Sequence, residues 1–189
     1  MFQVRFHGRG GQGAVTAAEL LSVAAFHEGK HAQAFPSFGS ERMGAPVMSF
    51  CRVDDRPVRL REPIVEPDAI VIQDATLLHA VPVFEGLDVA GFVLLNTRKP
   101  RDTLGCNDLV AKLPAGHFRV VAANDIAEKH LGRPLANAAL LGGLLALTEL
   151  VSMGSLSVAI RARFAGKVGD QNVAAAAEAY AHVRESTAC

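Results

Sequence analysis

The sequence predicts an α/β fold: a largely parallel sheet with helices on both faces, a Rossmann-like first βα turn and an antiparallel hairpin. Three observations lead there. The chain opens on alternating residues, Phe2, Val4 and Phe6 against Gln3, Arg5 and His7, which is the period of a strand. A glycine-rich turn, Gly8-Arg9-Gly10-Gly11-Gln12-Gly13, joins that run to a helix-like stretch over residues 14–26. Short apolar strand-like runs then alternate with helical ones, the order that builds parallel sheets.

The turn is the first candidate site. Gly8, Gly10 and Gly13 fit the G-x-G-x-x-G spacing of a strand–turn–helix phosphate loop. Glycine there permits positive φ and a close approach of backbone to phosphate, and the free N–H groups opening the helix face the anion. The bland alternative is a turn that only lets the helix pack tightly on its strand. A dinucleotide site also places a carboxylate about 20 residues further on to hold the ribose. Here residues 31–36 read His-Ala-Gln-Ala-Phe-Pro, which disfavours an ordinary NAD site.

Composition narrows the class. The 189 residues are half hydrophobic with zero formal charge, which suits one domain over residues 1–189 with a substantial core and no nucleic-acid partner. The N-terminus lacks the pattern of a signal peptide. The longest apolar run, residues 135–147, contains Asn137 and precedes Thr148 and Glu149. It falls short of the ~20 apolar residues that span a bilayer, so no membrane partner is expected. Cys51, Cys106 and Cys189 are scattered and form no C-x-x-C. That argues against zinc or iron–sulfur ligation within this chain and suits a reducing cytoplasm.

Taken in order, the first helix carries Val15, Ala18, Leu21 and Ala25 at helical spacing, and Gly29 stops it. A short strand follows over residues 31–35. Residues 35–46 hold two prolines and two glycines, which preclude a regular element, yet Phe35, Phe38 and Met43 are costly to leave in water. Such a loop packs on its own domain or on a partner. Residues 47–53 read as a strand, Asp54-Asp55-Arg56-Pro57 as a turn, and 58–60 as the returning arm of the hairpin. Further strands are expected at 67–72, 91–95 and 118–122, with a short helix over 76–84 interrupted by Pro82. The last third reads as helical. Residues 125–131 form a short helix, and 137–151 a helix apolar on nearly every side, buried from several directions, one of them open to another subunit. Ser155 or Ser157 caps a helix through Phe164, and Asp170 caps the last.

Catalytic chemistry is not evident. None of the seven histidines sits in a ligand spacing such as H-E-x-x-H, no G-x-S-x-G elbow occurs, and Asp54-Asp55 suits a turn. No catalytic residue and no metal ligand is therefore assigned. The second binding candidate is Ser40, Glu41 and Arg42 beside Gly44. Arg42 can hold a phosphate or carboxylate bidentately. Equally, Glu41 and Arg42 can serve only to fix the loop through surface ion pairs.

Together, the 8–13 turn and the run Phe35-Pro36-Ser37-Phe38-Gly39-Ser40-Glu41-Arg42-Met43-Gly44-Ala45-Pro46 resemble the gamma subunit of 2-oxoacid:ferredoxin oxidoreductases, of the pyruvate/ketoisovalerate type. In many relatives the second motif reads Tyr/Phe-Gly-x-Glu-x-Arg-Gly-Gly or Glu-Arg-Arg-Gly-Ala-Pro. This sequence matches the latter, with Met43 in place of an arginine. Asn137 and Asn172 also fit, and the likeness covers essentially the whole chain. The resemblance implies one subunit of a larger enzyme that decarboxylates a 2-oxo acid, pyruvate by default, and forms an acyl-CoA. Thiamine diphosphate and 4Fe–4S clusters would lie in companion alpha, beta and delta-type chains, with ferredoxin or a NAD-linked chain as acceptor. It further implies that Gly8, Arg9, Gly10, Gly11, Gln12 and Gly13, with Ser40, Glu41, Arg42 and Gly44, hold the phosphates of coenzyme A or close over the active site. An indolepyruvate- or arylglyoxylate-type relative shares the domain. A stand-alone nucleotide-binding or assembly module is the competing class.

Overall fold

A computed structural model describes residues 1–37 and 43–186. The strands are β1 (Phe2–Arg9), β2 (His31–Pro36), β3 (Pro46–Asp54), β4 (Ala69–Ile72), β5 (Phe92–Asn96) and β6 (Phe118–Val121). The helices are α1 (Ala14–His27), α2 (Asn107–Val110), α3 (Ala123–Leu131), α4 (Asn137–Thr148), α5 (Met153–Arg163) and α6 (Gly166–Glu185). All six strands form one sheet in the order β2-β3-β1-β4-β5-β6. β1, β4, β5 and β6 run parallel, while β3 is antiparallel to both β1 and β2.

The period-two pattern of β1 sorts its side chains onto two different faces. Val4 and Phe6 are buried with the helices α1, α4, α5 and α6, whereas Arg5 and His7 point the other way. Ala69 and Val71 of β4 join the helical side; Ile70 and Ile72 join Val93, Leu95 and Phe118 in a second core. That second core is covered by 3₁₀ turns at Ala75–His79 and Arg101–Thr103, by the one-turn α2 and by loops. Helical turns thus cover both faces, with the long helices all on one.

Several local expectations change. The antiparallel hairpin is β2–β3, because β3 finds its partners in β2 and β1. Residues 58–60 form no strand. They lie in an irregular strap held to the sheet by side chains, as where Arg52 Nη1 donates to the Leu60 carbonyl. The 76–84 helix shrinks to one 3₁₀ turn, capped when the Asp74 carboxylate accepts from the Thr76 N–H. Ser152, not Ser155 or Ser157, caps α5 by accepting from the Ser155 N–H. The last helix starts at Gly166, ahead of Asp170, which pairs instead with Arg161.

α4 ends at Thr148, where Glu149 takes a left-handed backbone. It is buried by this chain itself, between α6 and β5, so its apolar circumference needs no second subunit. Two adjacent glycines make that possible. A Cβ at Gly142 would overlap the Ala176 carbonyl of α6, and one at Gly143 would lie 2.9 Å from Leu94 Cδ2. Gly142→Ala is accordingly expected to lower stability by about 1–3 kcal/mol, the cost of overpacking a filled core. At Gly154 an added Cβ meets only Ser152 Oγ, at 3.6 Å, so Gly154→Ala should raise stability by about 0.5 kcal/mol. Urea denaturation of the two variants checks both signs.

Candidate functional site

The glycine turn lies where the sheet changes direction of growth. Chain leaving β1 continues to β2 on one side, while β4 and β5 build the other, so the carboxyl ends of β1 and β4 border a crevice. Gly8 and Arg9 belong to the strand, paired with Val47 and Pro46. Gly8 packs closely: a Cβ there would lie 2.6 Å from Gln73 Oε1 and 3.3 Å from the Ala14 Cβ. Gly11 and Gly13 form the turn proper, at φ 93° and 80°, in the region that glycine alone enters cheaply. Gly13 is the residue ahead of α1, and a Cβ on it would approach Asn137 Nδ2 to 2.9 Å.

Some donors of the turn are spent internally. The Gly10 N–H donates to the Ala45 carbonyl at 2.9 Å, and that of Gln12 to the Arg9 carbonyl at 3.0 Å. Those of Gly11, Gly13, Ala14, Val15 and Thr16 meet no acceptor among the described residues. α1 has neither a side-chain cap nor an acidic residue in its first turn. The result is an uncapped helix N-terminus at the mouth of the crevice, the arrangement that attracts an anion.

A polar brace fixes the turn. Arg9 Nε donates to Asp74 Oδ2 at 3.2 Å, its Nη1 to the Gly44 carbonyl at 3.0 Å and its Nη2 to Thr76 Oγ1 at 2.7 Å. Gln12 Oε1 accepts from the Arg9 N–H at 2.8 Å, while its Nε2 donates to Asp74 Oδ2 at 3.1 Å. Burial acts to raise the Asp74 pKa. The Thr76 and Gln12 hydrogen bonds and the Arg9 charge outweigh it and hold the carboxyl below its ordinary value. Asp74 is therefore a neutralised anchor, and Arg9 is committed to bracing.

The two sequence motifs meet here. Besides the Arg9–Gly44 bond, the Gly44 N–H donates to the Gly10 carbonyl at 3.1 Å, and Met43 bridges to Gly10. Ser40, Glu41 and Arg42 lie outside the described residues. Sequence reasoning did not assign Asp74, Thr76 or Asn137 to the site. Asp74 and Thr76 follow the end of β4 and Asn137 opens α4. The rule that ligands collect beyond the carboxyl ends of parallel strands points to the β4 pair.

The opposite face carries a feature that no motif announced. Arg5 is 6% exposed, and all its N–H groups are used within the protein. Nε donates to His7 Nε2 at 3.0 Å; the Nη groups donate to the carbonyls of Ile64, Val65, Val83 and Glu85. A cavity of about 480 Å³ lies against this pair. Because His7 Nε2 accepts, the neutral ring carries its proton on Nδ1. Burial, then the Arg5 charge, pushes the His7 pKa down to about 3.

Two further histidines are engaged in local contacts. His117 stacks on Phe92 and bonds to the Ala90 carbonyl, and His130 contacts Glu178. Among the described residues no group of His, Cys, Asp and Glu suits a metal ion, and no helix is long and apolar enough to cross a membrane.

The depressed His7 pKa sets a pH dependence. The unfolded chain takes up this proton near the ordinary value of 6.5, the folded one only near 3. The unfolded state thus binds more protons between those values. The stabilisation is complete above pH 6.5 and falls away on acidification. From pH 7 to pH 5 this one group should cost about 2 kcal/mol, as read by urea denaturation at the two pH values. In His7→Gln, whose amide oxygen still accepts from Arg5, that part of the loss should vanish.

Comparison with known proteins agrees with this architecture. The family described as pyruvate ferredoxin/flavodoxin oxidoreductase matches residues 3–182. The "Pyruvate/ketoisovalerate oxidoreductases common subunit gamma" of Pyrococcus furiosus is 48% identical over 180 residues, covering 95% of this chain and 96% of that one. The "Pyruvate synthase subunit PorC" of Methanothermobacter marburgensis is 47% identical, with 98% and 99% covered. Among solved structures, the pyruvate oxidoreductase subunit PORC of Thermotoga maritima superposes with a TM-score of 0.80 at 36% identity, covering 95% of each chain. With sequence and fold alike matched over nearly its whole length, this chain belongs to the pyruvate ferredoxin/flavodoxin oxidoreductase family.

Proposed function

We propose that the chain is the gamma subunit of a cytoplasmic 2-oxoacid:acceptor oxidoreductase, with pyruvate the default substrate, and that its glycine turn receives the phosphates of coenzyme A. The observation that carries the site is the junction of the two motifs. The turn at 10–13 and the segment at 43–45 are hydrogen-bonded to each other beside a row of N–H groups that meet no acceptor among the described residues. Those groups fit an anionic oxygen cluster. Gly11, Gly13 and the first turn of α1 would donate, while Arg9, Gln12 and Asp74 hold their shape. Gly8 supplies room beneath the turn, and Gly44 supplies the carbonyl that anchors Arg9. Ser40, Glu41 and Arg42 would complete the site from the loop, with Arg42 supplying a cation to the phosphates.

The cluster chemistry of such an enzyme does not fit this chain. A 4Fe–4S centre needs four thiolates, and the chain has three cysteines. Of these, Cys51 and Cys106 are buried, and burial raises both thiols above their ordinary pKa. The cysteine count supports placing the iron–sulfur clusters in companion alpha, beta and delta-type chains; on the same reading thiamine diphosphate is bound there too, and electrons leave to ferredoxin or another acceptor. This subunit binds and positions; the redox steps are not its own.

Two measurements test the reading. Purified through a tag from its native cell, the chain should bring down a brown complex that reduces an artificial acceptor with one 2-oxo acid and CoA. A colourless, inactive monomer would overturn it and favour a stand-alone module. In the complex, Arg42→Ala should raise the KM for CoA by about tenfold, the loss of one charge-assisted phosphate contact. Unchanged binding and turnover would remove Arg42 from the site.

A further inference from the structure

The cavity on the face opposite the long helices is not explained by a phosphate site at the glycine turn. It measures about 480 Å³, the size of a small-molecule pocket. Met48, Phe50, Leu77 and Val81 supply apolar wall, His7 and Ser37 supply polar groups, and the exposed Glu85 also borders it. Two features of its surroundings are unusual. The first is charge. Arg5 and Arg52 are 6% and 4% exposed, both project from this face, and neither forms an ion pair among the described residues. The carboxylates whose charges act on them, Glu85 and Glu62, sit on exposed residues. Buried cations are ordinarily matched by a buried anion, and here the protein supplies only neutral carbonyls, the Gln3 amide and the Phe35 ring.

The second feature is a pair of donors without acceptors among the described residues. With Nε2 engaged by Arg5, the His7 ring has Nδ1–H to give, and that nitrogen has no acceptor among the described residues. The Ser37 hydroxyl likewise has none, its residue being fixed by an N–H to Met48 carbonyl bond of 2.9 Å. A largely apolar chamber beside two buried cations, with two donors and with the exposed Glu85 in its lining forming no ion pair with either cation among the described residues, favours one kind of occupant: an apolar body carrying one negative charge.

We infer that this cavity is a binding site for a small apolar monocarboxylate, held by the His7 Nδ1–H and the Ser37 hydroxyl and favoured by the field of Arg5 and Arg52. The site is separate from the glycine turn, on the other side of β1, and does not depend on the coenzyme A reading. Arg5 contributes charge rather than contact, since its own N–H groups are spent on the carbonyls around it. His7 stays neutral throughout the physiological range, so its part is directional donation.

The test is a titration of the isolated full chain with 4-methylpentanoate, followed by amide NMR, with 4-methylpentan-1-ol as the uncharged probe. The acid should bind saturably, with shifts centred on residues 5–7, 46–50 and 77–85. The alcohol should bind at least about tenfold more weakly, the difference expected of a charge-assisted hydrogen bond. Val81→Phe, which fills the chamber, should abolish the shifts while leaving circular dichroism and melting unchanged. Ser37→Ala, a milder change at the rim, should weaken the acid and leave the alcohol as it was. Absence of saturable shifts, or equal binding of acid and alcohol, would overturn the proposal. So would acid binding by the isolated chain that disappears in the co-purified complex, because a companion side chain would then own the cavity.

Discussion

A guanidinium buried without a counter-ion is tolerable only if every N–H finds an acceptor, and Arg5 meets that demand in a way that shapes half the molecule. Its acceptors come from three separated stretches: His7 on the same strand, Ile64 and Val65 in the strap after β3, and Val83 and Glu85 after the first 3₁₀ turn. None of those carbonyls lies in a ladder, so Arg5 does for them what a sheet neighbour does elsewhere. The strap can cross the face without being a strand because its backbone acceptors are claimed from below by Arg5, Arg52 and Gln3. Losing the guanidinium would strand several carbonyls at once and release the wall of the cavity.

The other side of β1 obeys a different constraint, that of room. Val4 and Phe6 are wholly buried under helices, and two positions further along Gly8 lies close against the Gln73 side chain and the Ala14 methyl. The glycine pattern thus mixes two demands. Gly8 is a packing residue within a strand, while Gly11 and Gly13 are conformational residues within a turn. Tight packing and an open row of N–H groups therefore coexist; the strand end supplies the first and the start of α1 the second.

Those differences explain what the sequence disclosed. β1, α1, the buried strands β4, β5 and β6, and the all-apolar α4 were legible because periodicity and burial write themselves into residue choice. Pairing was not legible. Residues 58–60 carry strand-like composition, but β3 gains more by lying between β2 and β1 than by folding back on them. Caps were missed where two serines competed with a third, Ser152, one turn earlier. At the candidate site, the glycines and Gly44 were found by motif. Asp74 and Thr76 were not, because their role comes from strand adjacency that only the fold supplies. The Arg5–His7 pair looked like the polar side of an amphipathic strand, and nothing local announces that this side is buried as well.

The functional account rests on the N–H groups at the β1–α1 turn being the place where an anion is received, and those same groups can be watched directly. Hydrogen–deuterium exchange of the purified complex, with and without coenzyme A, reads each amide of residues 11–16 in the state that matters. The account predicts that exchange there slows on adding coenzyme A while the α4 and α6 amides are unchanged. Exchange at 11–16 that stays the same while protection appears elsewhere in the complex would contradict it, and would leave the glycine turn with a purely structural role.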